Sequence, residues 1–243
     1  MGMDIMTYMK EGIGRHADSL GNREEFASPG FQWISVGSGI EHAEGGGTPI
    51  GQRKHGFQVW VNVPAARKQD DPKYGTVHPS AIPRIERTGL VGLVIAGSVP
   101  DSGIKGPFET QQPVQIIDFE LEAYVDLAHP VDAELNCCLV YCYRGSGVVS
   151  GSEPIAAQQV ARLDASSDEA RTVTIQAGPQ GLGFMLFAGK RIGETITWHG
   201  PFVASSRAEL TAAFQAYQTG RFPPVRVPWD YRSAAEHAAN NPK

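Results

Sequence analysis

Every apolar run ahead of Ser206 is short, and each one stops at glycine or proline. Phe31-Gln32-Trp33-Ile34-Ser35-Val36 is broken by Gly37-Ser38-Gly39. Gly56 to Val63 is stopped by Pro64, and Leu90 to Ala96 by Gly97. Runs of this length suit strands, which average about 5–6 residues, and are too short for most helices. The 28 glycines and 17 prolines follow no repeat period, which points to many tight turns and not to a collagen-like rod or a linker. A chain built this way folds as a β-sandwich or β-barrel.

The spacing divides the chain into two β blocks. The first opens in strand-like Asp4 to Met9 and runs through the turn-rich Arg15 to Asn22, the flexible Gly45-Gly46-Gly47 and a polar loop from Arg67 to Pro79. Residues 98–113, rich in Ser, Gly and Pro, read as the connection. The second block starts at Val114, alternates polar and apolar from Asp118 to Val125, and continues in Cys138 to Tyr143, Thr172 to Gln176 and Gly183 to Ala188, with a break expected at Gly145-Ser146-Gly147. This predicts domains at 1–112 and 113–243. One helix is marked by the capping-box spacing of Ser206 and Glu209, by Leu210, Phe214 and Tyr217 on one side, and by Gly220 as a stop. It is expected across the outside of the second domain, and the tail after Pro228 reads as a second short helix or a frayed end.

Charge excludes some functions. A net charge of −5 with no long run of like charge gives no basic stripe for nucleic acid and none for an anionic membrane. No stretch of about 18 apolar residues is present to make a spanning helix. The three cysteines, Cys137, Cys138 and Cys142, are odd in number and packed together, so they make no disulfide framework. On a strand, Cys138 and Cys142 share a face with Val140, while Cys137 turns the other way. They read as small buried hydrophobes in a reducing compartment, which places the protein in the cytoplasm or nucleus.

Of the seven histidines, His78, His129 and His237 lie in polar or proline-adjacent sequence and are expected in solvent, as is His55 ahead of its strand. His42 and Glu44 differ. They form His-x-Glu after a Gly-Ser-Gly turn, and in an extended chain positions two apart project to the same face. An imidazole and a carboxylate so placed are half of a four-ligand metal site, and an N/O set suits Fe, Mn, Ni or Zn. Trp33 and Trp60 are expected to line the core or a cavity.

Several motifs in order make the chain resemble the pirin family of two-domain cupin proteins. They are His16 to Asn22, Pro29-Gly30-Phe31-Gln32-Trp33-Ile34, Gly37 to Glu44 and Gln58 to Pro64, then Phe187 to Lys190 and His199-Gly200-Pro201-Phe202-Val203. The resemblance implies an all-β chain of two consecutive cupin barrels, the first holding one metal ion, usually iron(II), on three His and one Glu, the second without metal ligands. His42 and Glu44 take the last two ligand positions. The first two belong to a His-Pro-His-Arg-Gly motif whose final Arg and Gly align with Met1 and Gly2, so the resemblance implies a chain cut short at that motif. His16 belongs to the strand and turn that follow, as a hydrogen-bonding group near the cavity, and Asp4 stands where the family has Glu. His199 is implied to be part of a packed turn.

Two function classes follow from the resemblance. One is a quercetin 2,3-dioxygenase-like oxidoreductase that acts on a flavonoid-type molecule, with Glu44 as both ligand and candidate base. The other is a non-enzymatic, iron-binding transcriptional co-regulator that contacts a transcription factor. An inactive fragment with a broken metal site is the third possibility. The resemblance also implies a monomer.

Overall fold

The computed structural model describes residues 1–163 and 171–227. Its backbone groups into two compact units, Met1–Ser80 with Ile192–Lys243, and Ala81–Arg191. The sequence boundary at 112/113 therefore differs from where the backbone groups: the last part of the chain returns to the unit that holds its first part. The tail after Pro228, expected as a short helix or frayed end, lies outside the described residues, as does His237.

In the first unit, β1 (Met3–Glu11) is flanked by β4 (Phe31–Ser35) and β6 (His55–Asn62), with β7 (Lys73–Val77) beyond β4. A second sheet sets β2 (Ile13–Asp18) between β3 (Arg23–Ala27) and β5 (His42–Gly46). In the second unit, β8 (Arg84–Arg87), β9 (Leu90–Ala96) and β10 (Val114–Leu121) lead to β15 (Arg171–Gly189), β12 (Cys137–Val149) and β13 (Glu153–Ala156). There β11 (Asp126–Val131) also pairs with β15, and β14 (Val160–Leu163) with β12. The hairpin of β16 (Thr197–His199) and β17 (Phe202–Ala204) and the helix α1 (Arg207–Gln218) complete the first unit. Among the described residues the chain is all-β apart from this helix and two single 3-10 turns, Ala65–Arg67 and Pro79–Ala81, as expected.

The expected break at Gly145-Ser146-Gly147 is not a break. β12 runs through it with register shifts at Cys142/Arg144 and Gly145/Gly147. Gly145 has φ +74°, the left-handed region that a bulge uses and that only glycine takes without strain. The expected cysteine pattern is present: Cys138, Val140 and Cys142 are buried in the second unit's apolar cluster, and Cys137 is half-buried. Burial pushes the Cys138 thiol up to about 11, so it is an inert core group.

The helix is a correction. Ser206 Oγ accepts the Glu209 N–H at 3.2 Å, and the Glu209 carboxylate accepts the Ser205 N–H at 2.9 Å, so the cap is as read. Its packing is not. Ala213 joins Phe202, Val203 and Phe222 in one cluster with Met1, Met3, Ile5, Ile34 and Val36, all of the first unit. Those strands leave one apolar face open, and the helix closes it. His129 is a second correction, since it is 3 % exposed and not in solvent. Its position between Ala128 and Pro130 on β11 alternates with solvent-facing residues, and its ring packs edge-on against Phe119 at 5.2 Å. His78 is exposed as expected, and His55 is half-buried beside Phe57.

Candidate metal centre and its cavity

The site is built by the pairing of β2 with β5. Antiparallel register sets His16 opposite Glu44 and Asp18 opposite His42. Residues 16 and 18, and 42 and 44, each lie two apart, so all four side chains leave one face of the sheet. The chain reaches β5 through Gly37-Ser38-Gly39, where Gly37 has φ +49° and its α-carbon abuts the Asp70 backbone, leaving no room for a side chain. β2 ends in a turn organised by Asp18. Its Oδ1 accepts the N–H groups of Leu20 (2.9 Å) and Asn22 (3.1 Å), and Asn22 Nδ2 donates to Oδ2 at 2.8 Å.

His16, His42 and Glu44 each offer a donor atom, and these lie within 4.8 Å of one another. His16 Nε2 donates to Asp18 Oδ2 at 2.8 Å, both side chains fully buried. Its Nδ1, and Nδ1 of His42, are buried with no hydrogen-bond partner among the described residues. Buried polar atoms are normally bonded, so two orphaned imidazole nitrogens beside a carboxylate fit a cation. A ring whose other nitrogen is held by a carboxylate is also the common arrangement of a metal-binding histidine. Burial holds His42 below the usual imidazole range, against the pull of Glu44, so it is neutral and able to coordinate. Burial would raise Asp18, but its bonds from His16 and Asn22 hold it below the usual carboxylate range. The His16 ring stacks on Tyr74 at 4.2 Å and 10°.

Glu44 is oriented by three neutral donors. Thr7 Oγ1 donates to Oε1 at 3.1 Å, Gln32 Nε2 also donates to Oε1, and Gln58 Nε2 donates to Oε2 at 2.9 Å. Tyr74 in turn donates to Gln32 Oε1 at 3.2 Å and Trp60 Nε1 to Gln58 Oε1 at 3.0 Å. Burial, and then the carboxylates of Glu24, Asp18 and Glu44, push the Tyr74 hydroxyl far above its usual range, so it stays a donor.

The strands that carry this polar layer line two cavities. Ile5 pairs with Trp60, and two residues on, Thr7 pairs with both Gln58 and Gln32. Met3, Ile5, His42 and Trp60 line a cavity of about 520 Å³ closed by Phe202, Phe214, Tyr217 and Phe222. Thr7, Glu44 and Gln58 line another of about 430 Å³, with Arg15 and Lys54. Of the metal candidates, His42 lines the aromatic cavity and the exposed Glu44 lines the second one, and walls of aromatic rings suit a flat apolar guest.

Sequence reasoning singled out His42 and Glu44, and the structure brings them together with His16. It missed Asp18, Thr7, Gln32, Gln58 and Tyr74. Asp18 had a signal, as the second half of His-x-Asp on the strand before the turn. The others are ordinary strand residues whose role depends on long-range pairing. Asp4 is buried on β1 and is not part of the cluster. Trp33 is half-buried over Gly75, and His199 is exposed with its ring edge-on to Phe214 at 5.4 Å.

Residues 1–61 match the family described as Pirin, and residues 116–223 the Pirin C-terminal cupin domain. A Vibrio cholerae protein provisionally named as a quercetin 2,3-dioxygenase is 37 % identical over 91 % of this chain and 77 % of its own length. Pirin-1 of Arabidopsis thaliana is 33 % identical over 90 % of this chain and 75 % of its own. The crystal structure of a quercetin 2,3-dioxygenase from Acinetobacter baumannii matches with TM-score 0.81 and 27 % identity, covering 91 % of this chain and 76 % of that one. Two cupin units, a His/Glu cluster in the first of them, and this degree of likeness over nearly the whole length lead to one assignment: the chain belongs to the pirin family.

Proposed function

We propose that the protein is a metal-dependent oxidoreductase of the quercetin 2,3-dioxygenase type, acting on a flat, hydroxylated aromatic molecule of flavonoid class. The observation that carries this reading is the placement of His16, His42 and Glu44 within 4.8 Å of one another, with His42 lining the aromatic cavity. The names of the relatives from Vibrio cholerae and Acinetobacter baumannii support the substrate class.

In this reading His42, Glu44 and His16 hold one divalent ion, iron(II) or another ion suited to N/O ligands. When bound, the ion supplies a Lewis acid that orients a substrate hydroxyl and lowers its pKa. The chain does the rest. Trp60, Phe202, Phe214 and Phe222 exclude water and fix the ring plane of the guest. Asp18 locks the His16 ring by holding Nε2. Thr7, Gln32 and Gln58 aim the Glu44 carboxylate, which accepts the proton of the substrate hydroxyl. The same donors return Glu44 to one position after each turnover.

The test combines metal analysis with turnover. Purified protein should carry a divalent ion and consume quercetin with oxygen uptake. His42→Ala should lose both, and Glu44→Gln should lose turnover. Protein that retains no divalent ion and leaves quercetin unchanged refutes the proposal.

A further inference from the structure

The unit Ala81–Arg191 contains a cavity of about 810 Å³ that the metal chemistry does not use. Its volume lies in the range of small-molecule sites, about 300–1,000 Å³. Ile82, Ile85 and Leu127 belong to the apolar part of its lining, and Arg84, Glu86, Arg87, Asp101, Ser102 and His129 form the polar part.

His129 is the buried group. Gln115 Nε2 donates to the Ser98 carbonyl at 2.8 Å, which turns Gln115 Oε1 toward His129 Nε2 at 3.0 Å. An amide oxygen only accepts, so Nε2 carries the proton and Nδ1 is a bare lone pair. Among the described residues nothing bonds Nδ1. Burial, and then the Arg87 charge, push His129 down to about 4, so the ring is neutral at neutral pH. A neutral ring with Nδ1 open is an acceptor that calls for a hydroxyl.

Arg87 is the cation. It lies two residues from Ile85 on the short edge strand β8, and Ile85 packs on the second unit's core, so Arg87 stands on the cavity side. No carboxylate among the described residues pairs with it. Arg84 and Glu86, which also line the cavity, are paired with each other at 2.7 Å, so their charges offset. A guanidinium is a bidentate partner for a carboxylate. Asp101 at the rim repels a second negative charge, which favours a monoanion over a phosphate dianion.

We propose that this cavity is a second, metal-independent site for a small hydroxylated carboxylic acid. Its carboxylate meets Arg87, its hydroxyl donates to His129 Nδ1, and its apolar body lies along Ile82, Ile85 and Leu127. The site stands apart from the metal centre and does not depend on the reaction proposed for it.

The probe is 3-hydroxybenzoate, whose meta hydroxyl makes it a poor chelator, with the neutral isostere 3-hydroxybenzamide as its comparison. Both are titrated into the full chain while backbone amide NMR shifts are followed. Saturable shifts are expected at Ser102, Ile104 and His129, and not at Glu41 or Trp60. Arg87→Gln, at an exposed position that tolerates the change, should weaken 3-hydroxybenzoate about tenfold or more. It should leave 3-hydroxybenzamide unchanged. The proposal fails if shifts saturate only at Glu41 and Trp60 or nowhere. It fails equally if Arg87→Gln leaves the affinity within twofold, or if the amide binds as tightly as the acid.

Discussion

Single side chains in both units are held by partners far off in sequence, and their removal has definite costs. Gln32 is fully buried and bonds Glu44, Thr7 and Tyr74 at once. Gln32→Leu should leave the fold intact by circular dichroism and weaken divalent-metal affinity by about 10–100-fold, the usual effect of losing a group that orients a ligand. A metal titration that matches the parent protein would show that Glu44 needs no such support. His129 sets a pH limit of its own. The unfolded ring takes a proton near 6.5 and the folded ring only at about 4, facing Arg87 with Arg84, Glu86 and Asp101 around the same cavity. Between those values the unfolded chain binds more protons, so stability falls as pH drops through that window, by about 3 kcal/mol in all. Urea unfolding at pH 7 and pH 4.5 should show the loss, and His129→Gln should flatten this part of the profile.

At the level of elements, local signals were readable and pairings were not. The helix was legible because its cap, its apolar side and its glycine stop are all local. Ser206→Ala removes the side chain that accepts the Glu209 N–H, and should cost about 1 kcal/mol in thermal or urea unfolding. Where the helix packs was not legible, since the face it covers is built from Met1, Met3, Ile5 and Ile34, nearly two hundred residues upstream. The same holds for the site. His-x-Glu could be read from the alternation on β5, but the register that brings His16 opposite Glu44 joins strands separated in the chain by two others, β3 and β4. The Gly145 bulge misled for a related reason: glycine signals a positive φ, and a bulge inside a strand uses that as readily as a turn does.

Over the whole molecule, each compact unit encloses its own apolar cluster, one built around Ile34, Phe202 and Phe222, the other around Phe119, Val140 and Phe184. Phe119 and Phe184 stack at 5.2 Å with no exposure, so Phe184→Ala should destabilise the chain by about 3–5 kcal/mol, read by calorimetry. The two-cupin plan was legible because glycine-stopped strands and ordered motifs run along the entire chain. The return of its last part to the first unit was not, because that depends on which apolar face remains uncovered. The aromatic cavity of the first unit takes Ile5, His42 and Trp60 from early strands and Phe202, Phe214 and Phe222 from the last described stretch of the chain. A guest held there, as proposed above, would press on both stretches at once, so its binding would fasten the late stretch onto the early one.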